Sequence, residues 1–400
     1  MKHSFLFSCV LSGTALLLSG LLSGLLLSGC SRAPVNEPVD EPLELAAAMG
    51  GDTLGYARAD GVIPFDFPSD YGAHPDFKTE WWYFTGNLFS DDERRFGYEL
   101  TLFRSAMAPP DSLDAVEEGW TTRQLYMGHF SLADPATGTF HAFERFSRGA
   151  AGLAGAESPP FRIWLNDWDM ASVDPSRADE LFPLRLQSEE NGVAIDLTLN
   201  AIKPIVLQGE KGWDPKGAGA GNASYYYSFT RLETEGTVTV PDGSFDVTGQ
   251  SWKDHEWSTS ALGPDEIGWD WFALQLDDGR EIMYYQLRRE DGTISPYTGG
   301  SLVAADGSKR HLSPDDVELR VLDRWTSNVS GAEYPVRWEL SLPGEDLSLT
   351  VAAVMPNQEL NVSVRYWEGA VDISGQSGDD PLSGVGYVEL TGYDRVANDN

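Results

Sequence analysis

The chain is poor in two things: cysteine, with only Cys9 and Cys30, and positive charge, with 28 Lys and Arg against 62 Asp and Glu in 400 residues. The shortage of cysteine excludes a disulfide framework beyond residue 30 and leaves no thiol there for cysteine catalysis. Stability must come from core burial, for which roughly 370 residues give ample material as one large unit or two domains. Lys2 is the only Lys, Arg, Asp or Glu before Cys30, so the remainder carries 27 − 62 = −35. That balance excludes the basic footprint nucleic acid requires, and it argues against holding anionic lipid headgroups by charge. We read the acidity as solubility. Also absent are a Gly-x-Ser-x-Gly elbow, a phosphate loop and a dinucleotide fingerprint, so no cofactor is expected. After residue 60 no stretch holds a helical hydrophobic period.

What is present begins with Lys2, an apolar run from Phe5 rich in Leu, Ser and Gly, and Leu27-Ser28-Gly29-Cys30. A basic start, an apolar segment and small residues before a cut describe a secretory signal over residues 1–29. The last four residues resemble a bacterial lipobox, which implies lipidation of Cys30. Ser31 next to it implies the outer membrane in the usual sorting pattern. Residues 30–61, with Pro34, Pro38 and Pro42, read as a flexible tether.

Beyond the tether come short runs of period two. Phe96, Tyr98, Leu100 and Leu102 form one, Val193 to Leu199 another, and Thr237 to Val240 a third. Asp-Gly turns at 242–243, 278–279, 291–292 and 306–307 punctuate them, the chemistry of tight hairpins. The expectation is antiparallel β structure throughout. The chain also repeats itself: "EWWYFTGNL" (80–88) aligns with "GWDWFALQL" (268–276), setting Trp81 on Trp269, Tyr83 on Trp271 and Leu88 on Leu276. Later, Gly249 aligns with Gly384, Asp254 with Glu389 and His255 with Leu390. A two-fold repeat of this length predicts two related β domains, residues 62–262 and 263–400.

"PSDYGAHPDFKTEWWYFTGNL", "YMGHFSLAD", "GNASYYYSFTRL", "WKDHEWSTS", "GWDWFALQLDDGRE" and "VRYWEGAV" together resemble the AttH and carotenoid 1,2-hydratase-like family. The resemblance covers nearly everything after residue 60. It implies an all-β fold of two tandem lipocalin-like antiparallel barrels. Family members include hydratases, proteins encoded with export-type transporter components, and distant relatives that cyclise terpenoid or polyketide chains.

"KDHEW" (253–257) is the first candidate site, because His255 occurs in one copy of the repeat only. Asp270 sits among aromatics in "GWDWF", where burial would raise its pKa and suit it to acid–base work. In the hydratases, the His and Trp of such a motif and a downstream Asp are taken as catalytic, which implies His255, Trp257 and Asp270. Side chains alternate along a strand, so His255 and Trp257 should face one way and Asp254 and Glu256 the other. Asp254 remains a supporting residue, and His255 and Asp270 are expected to face one cavity. His74 and His129 are further candidates, the first a turn residue or cavity group, the second a core or lining residue. Trp81, Trp82, Trp269, Trp271 and Tyr226 are barrel core or ligand box, since a barrel interior can be both. Asp254, His255 and Glu256 are too close in sequence to converge on one metal, so none is expected.

Two functions remain open: a binding protein for an apolar small molecule or lipid, working with an ABC-type transporter, and a hydratase acting on an isoprenoid chain. The lipobox reading has its own check. Cys30→Ser should release the protein to the soluble periplasmic fraction or leave it unprocessed, as read by fractionation and intact mass; unchanged attachment and processing would reject lipidation.

Overall fold

The computed structural model describes residues 53–112, 121–259, 262–263 and 265–393, together with the backbone of a two-residue strand at Leu43–Glu44. The signal segment, Cys30 and the tether up to residue 52 otherwise lie outside the described residues. The described chain is all-β, with three short 3-10 turns and no α-helix.

Two sheets account for it. The first runs in the order Thr139–Arg148, Gln124–Asp134, Arg95–Ala106, Thr79–Ser90, Gly243–Ser258, Ala223–Val240, Val193–Ala201, Leu184–Glu190, Trp168–Ser172, Arg162–Leu165, Ala154–Glu157. It nearly closes into a barrel: Arg162–Leu165 packs back across the first three of these strands, with Leu165 and Trp168 filling the space above Gly128. The second runs Lys309–Leu312, Gly299–Val303, Glu281–Arg289, Glu266–Leu276, Asp380–Leu390, Val364–Ser377, Leu347–Ala353, Glu333–Leu342, Glu318–Thr326. It curls around its own core, where Phe272 meets Trp338 edge-on at 5.5 Å. All pairings between these strands are antiparallel.

The repeat is real at the level of register. Each unit's opening strand, Thr79–Ser90 or Glu266–Leu276, lies between its hairpin partner and its unit's last strand. Tyr83 lies opposite Asp254 and Trp271 opposite Glu389; Trp82 lies opposite His255 and Asp270 opposite Leu390. The opening strands are buried on both faces. Trp82, Phe84 and Leu88 enter the first core and Phe272, Leu274 and Leu276 the second. The other faces meet between the units, where Tyr83 touches its own counterpart Trp271, edge to face at 5.1 Å. A residue meeting its equivalent marks a two-fold-like contact.

Residues 53–61, expected as tether, lie against the first unit instead. Their backbone carbonyls accept from fixed aromatic donors: Trp213 Nε1 reaches Ala59 O at 2.7 Å and the Tyr225 hydroxyl reaches Gly61 O at 3.0 Å.

Gly249 and Gly384 hold equivalent places because the neighbouring strand leaves no room for a side chain. A Cβ on Gly249 would fall 2.0 Å from Asn87 O, and one on Gly384 would fall 2.3 Å from Gln275 O. Backbone cannot yield as a side-chain tip can. Gly249→Ala and Gly384→Ala should each lower stability by about 1–3 kcal/mol, measured by urea denaturation; a change within about 0.5 kcal/mol would show that the strands separate freely there.

Candidate functional site

The "KDHEW" strand pairs without interruption from Ser251 to Ser258 with the opening strand. Its side chains therefore alternate cleanly. Lys253, His255 and Trp257 enter the first barrel, while Trp252, Asp254 and Glu256 face the second unit.

His255 is fully buried and has no free ring nitrogen. Nε2 lies 2.8 Å from Glu80 Oε1 and Nδ1 lies 2.9 Å from the Tyr227 hydroxyl. The same Glu80 oxygen lies 2.7 Å from His74 Nδ1, and Arg104 Nε donates to the other at 2.8 Å. His74 Nε2 continues to Asp70 at 3.2 Å. Burial acts to raise the Glu80 pKa, but Arg104 and His74 overcome it and hold the group well below the carboxylate range. Burial lowers His74, yet Glu80 and Asp70 outweigh it and bring the ring to about 9. For His255 burial prevails and lowers the ring to about 3. The directions of the hydrogen bonds follow. His74 is protonated and donates to both acids; neutral His255 donates through Nε2 and accepts the Tyr227 hydroxyl at Nδ1. Trp257 stacks on His74 at 3.7 Å and Trp82 on His255 at 4.7 Å.

His74, Glu80 and His255 also bring three donor atoms within 4.8 Å of one another, as a metal site would. The same atoms already have partners within the network, and Arg104 brings positive charge beside them.

Asp270 does not share a cavity with His255. On its strand the neighbours Trp269 and Trp271 face the first unit, and alternation turns Asp270 into the second. There it accepts from Arg288 Nε at 2.9 Å and from the Tyr393 hydroxyl at 3.0 Å. Asp254 does not orient His255 either. It accepts from Tyr226 and Ser228 hydroxyls at 2.5 Å each and from Trp252 Nε1 at 2.7 Å. Trp82 is core.

The remaining candidates meet between the units. Trp81 and Trp269, equivalent in the repeat, are only half-buried and bridge two apolar clusters. One holds Tyr83, Tyr226, Trp252, Trp271 and Tyr285; the other holds Phe103, Met127, Leu360 and Tyr366. His129 lines the second, with Nδ1 at 2.7 Å from the Tyr366 hydroxyl and Nε2 at 3.3 Å from Glu144. Three carboxyls lie beside these clusters: Glu99 and Glu368 are fully buried, and Glu389 is partly exposed. Tyr83 donates to Glu368 at 2.5 Å, and Trp269 Nε1 donates to Glu389. Burial, reinforced by the neighbouring acids, raises Glu368 well above its usual range and Glu389 to about 8. Sequence reasoning missed Glu80, Arg104, Lys253, Glu99 and Glu368 as site groups. The available signal was an acid or base flanked by apolar residues inside a strand, as in "YELTLF", "YWEGAV" and "YVEL".

A family model described as AttH-like matches residues 58–393. A Nitrosomonas europaea protein assigned as AttH superposes with a TM-score of 0.72 at 31% identity, over 84% of this chain and 99% of that one. Kievitone hydratase from Nectria haematococca follows at 0.62 and 17%, over 84% and 95%. CghA, solved with Sch210972, gives 0.51 and 12%, over 86% and 98%. The last two show a shared fold. A comparison with curated protein sequences finds no match.

Removing one partner of a buried ion pair strands the others. Glu80→Gln should cost about 3–5 kcal/mol in denaturant stability, since Arg104 would stay charged and buried without its carboxylate. A loss under about 1 kcal/mol would show that the network is not needed for the fold.

Proposed function

Because the chain belongs to the AttH-like family over residues 58–393, we propose that it works through the cleft between its two units, holding an apolar small molecule or lipid there. One observation carries this reading. Trp81 and Trp269 occupy equivalent strand positions and both pack against the two apolar clusters, yet each keeps surface open to solvent. Large aromatics left partly uncovered where two apolar clusters meet are what a ligand of that kind buries. The barrel interior is the weaker candidate, because Trp82, Phe84, Tyr227 and Trp257 pack it with fully or nearly fully buried rings. With Cys30 lipidated, the protein would present this cleft from the outer membrane and exchange ligand with an ABC-type transporter.

A second reading, a hydro-lyase or isomerase acting on an isoprenoid chain, draws support from Glu389. Burial raises this carboxyl to about 8, so it keeps a proton at neutral pH beside the Trp269 ring. An acid of that kind can protonate a double bond while an aromatic face steadies the cation. The acid in this reading is Glu389, since His255 and Asp270 point into separate cores.

Native mass spectrometry of protein purified from its own membrane should reveal a co-purifying apolar molecule. The Trp81→Ala, Trp269→Ala double variant should lose it. Each single change should cost less than the about 3–5 kcal/mol of a fully buried aromatic. Retention of the molecule by the double variant would move the site elsewhere.

A further inference from the structure

The buried carboxyls facing the contact between the units differ in how their charge is met. Glu281 pairs with Lys203 at 2.7 Å and with Arg231 at 2.5 Å. Asp214 lies 2.6 Å from Lys216, and Glu256 lies 3.6 Å from the same amine. Asp254 has three donors. Glu99, Glu368 and Glu389 have no such provision: among the described residues no lysine or arginine pairs with any of them. His129 acts on Glu99 from a distance, while its two nitrogens engage Tyr366 and Glu144. Both oxygens of Glu99, Oε2 of Glu368 and the hydroxyl of Tyr387 lack a hydrogen bond of ordinary geometry, although all are buried. Tyr387 and Glu99 sit close enough to Glu368 to act on its charge.

Buried polar groups are nearly always satisfied, and buried charges are paired. Three buried acids that no lysine or arginine answers, with oxygens and a neighbouring tyrosine hydroxyl lacking hydrogen bonds of ordinary geometry, can take up a positive group. Trp269 bonds Glu389 directly, and it and Trp81 keep surface open to solvent; their ring faces attract cations. We propose that the cleft selects an apolar organic cation, an ammonium group on an alkyl or aryl body, held at Glu389 and backed by Glu368 and Glu99. This rests on the reading of the cleft as the ligand site and names the chemistry of its occupant. Entry of the cation displaces one proton from the cluster to solvent and leaves an ammonium–carboxylate pair. Trp81 and Trp269 cover the apolar body.

Isothermal titration of the wild-type protein with three ten-carbon probes below their micellar concentrations tests this. The probes are decyltrimethylammonium, the neutral decyldimethylamine N-oxide, and decanoate. The ammonium should bind at least about tenfold more tightly than either of the others, the size of a desolvated cation–π and ion-pair preference. Repeating the titration in buffers of different ionisation enthalpy should show proton release. Glu389→Gln should remove most of the preference while leaving binding of the N-oxide. Equal or tighter binding of the N-oxide or decanoate would overturn the charge selection and leave the cleft as an apolar ligand site. Absence of binding by all three probes would overturn the proposal and tell against the cleft itself. The comparison among head groups uses the wild-type chain, so it stands whether or not Glu389→Gln folds.

Discussion

The contact of Tyr83 with Trp271 holds the molecule's logic in one place. Each residue belongs to the strand that opens its unit, and each such strand is buried on both faces. One face makes its own unit's core; the other makes the common interface. A strand used twice in this way needs large apolar residues on both faces, and "EWWYFTGNL" and "GWDWFALQL" each carry five in nine positions. The hydrophobic gain from such a strand is large, at roughly 1.5–3 kcal/mol for each large side chain fully buried. The two units are thereby joined by the same residues that hold each together.

Charge buried in this setting has to be answered locally. Around Glu80 the answer is complete: one carboxylate receives Arg104, His74 and His255, and every ring nitrogen has a use. Lys253 shows the opposite case within the same barrel. Its amine sits 4.8 Å from the Tyr227 ring centre and 5.6 Å from that of Phe84, and burial lowers it to about 7. The acids of the cleft share that condition with reversed sign. The compensated charge around Glu80 fixes the fold.

The sequence made much of the fold legible, because strand periodicity, turn chemistry and an internal repeat are local or self-comparing signals. The alignment of Gly249 with Gly384 and Asp254 with Glu389 returned as equivalent places in the sheets. The alternation of His255 and Trp257 against Asp254 and Glu256 was equally readable. What could not be read was which core each face enters. A strand with one wet face announces its inside by polarity, whereas a strand buried on both faces does not. That ambiguity put Asp270 in the wrong cavity and left Trp82 as a ligand candidate. Arg104 and Glu80 escaped notice for a different reason: their pairing joins side chains on neighbouring strands, and nothing in either local pattern names the partner.

The interface also records how such a chain can arise. Equivalent residues touch at its centre, and equivalent glycines admit the same strand approach on either side. A single ancestral half, pairing with a second copy of itself through the Tyr83-like position, would have made this surface as a homodimer. Joining the two copies in one polypeptide freed each to diverge without losing its partner. His255 in one half and Leu390 in the other, or Asp254 with its three donors against Glu389, are where the two halves differ. An exact two-fold would have placed identical chemistry on both sides of the contact; here one side carries Asp254 with three donors and the other Glu389 beside Trp269.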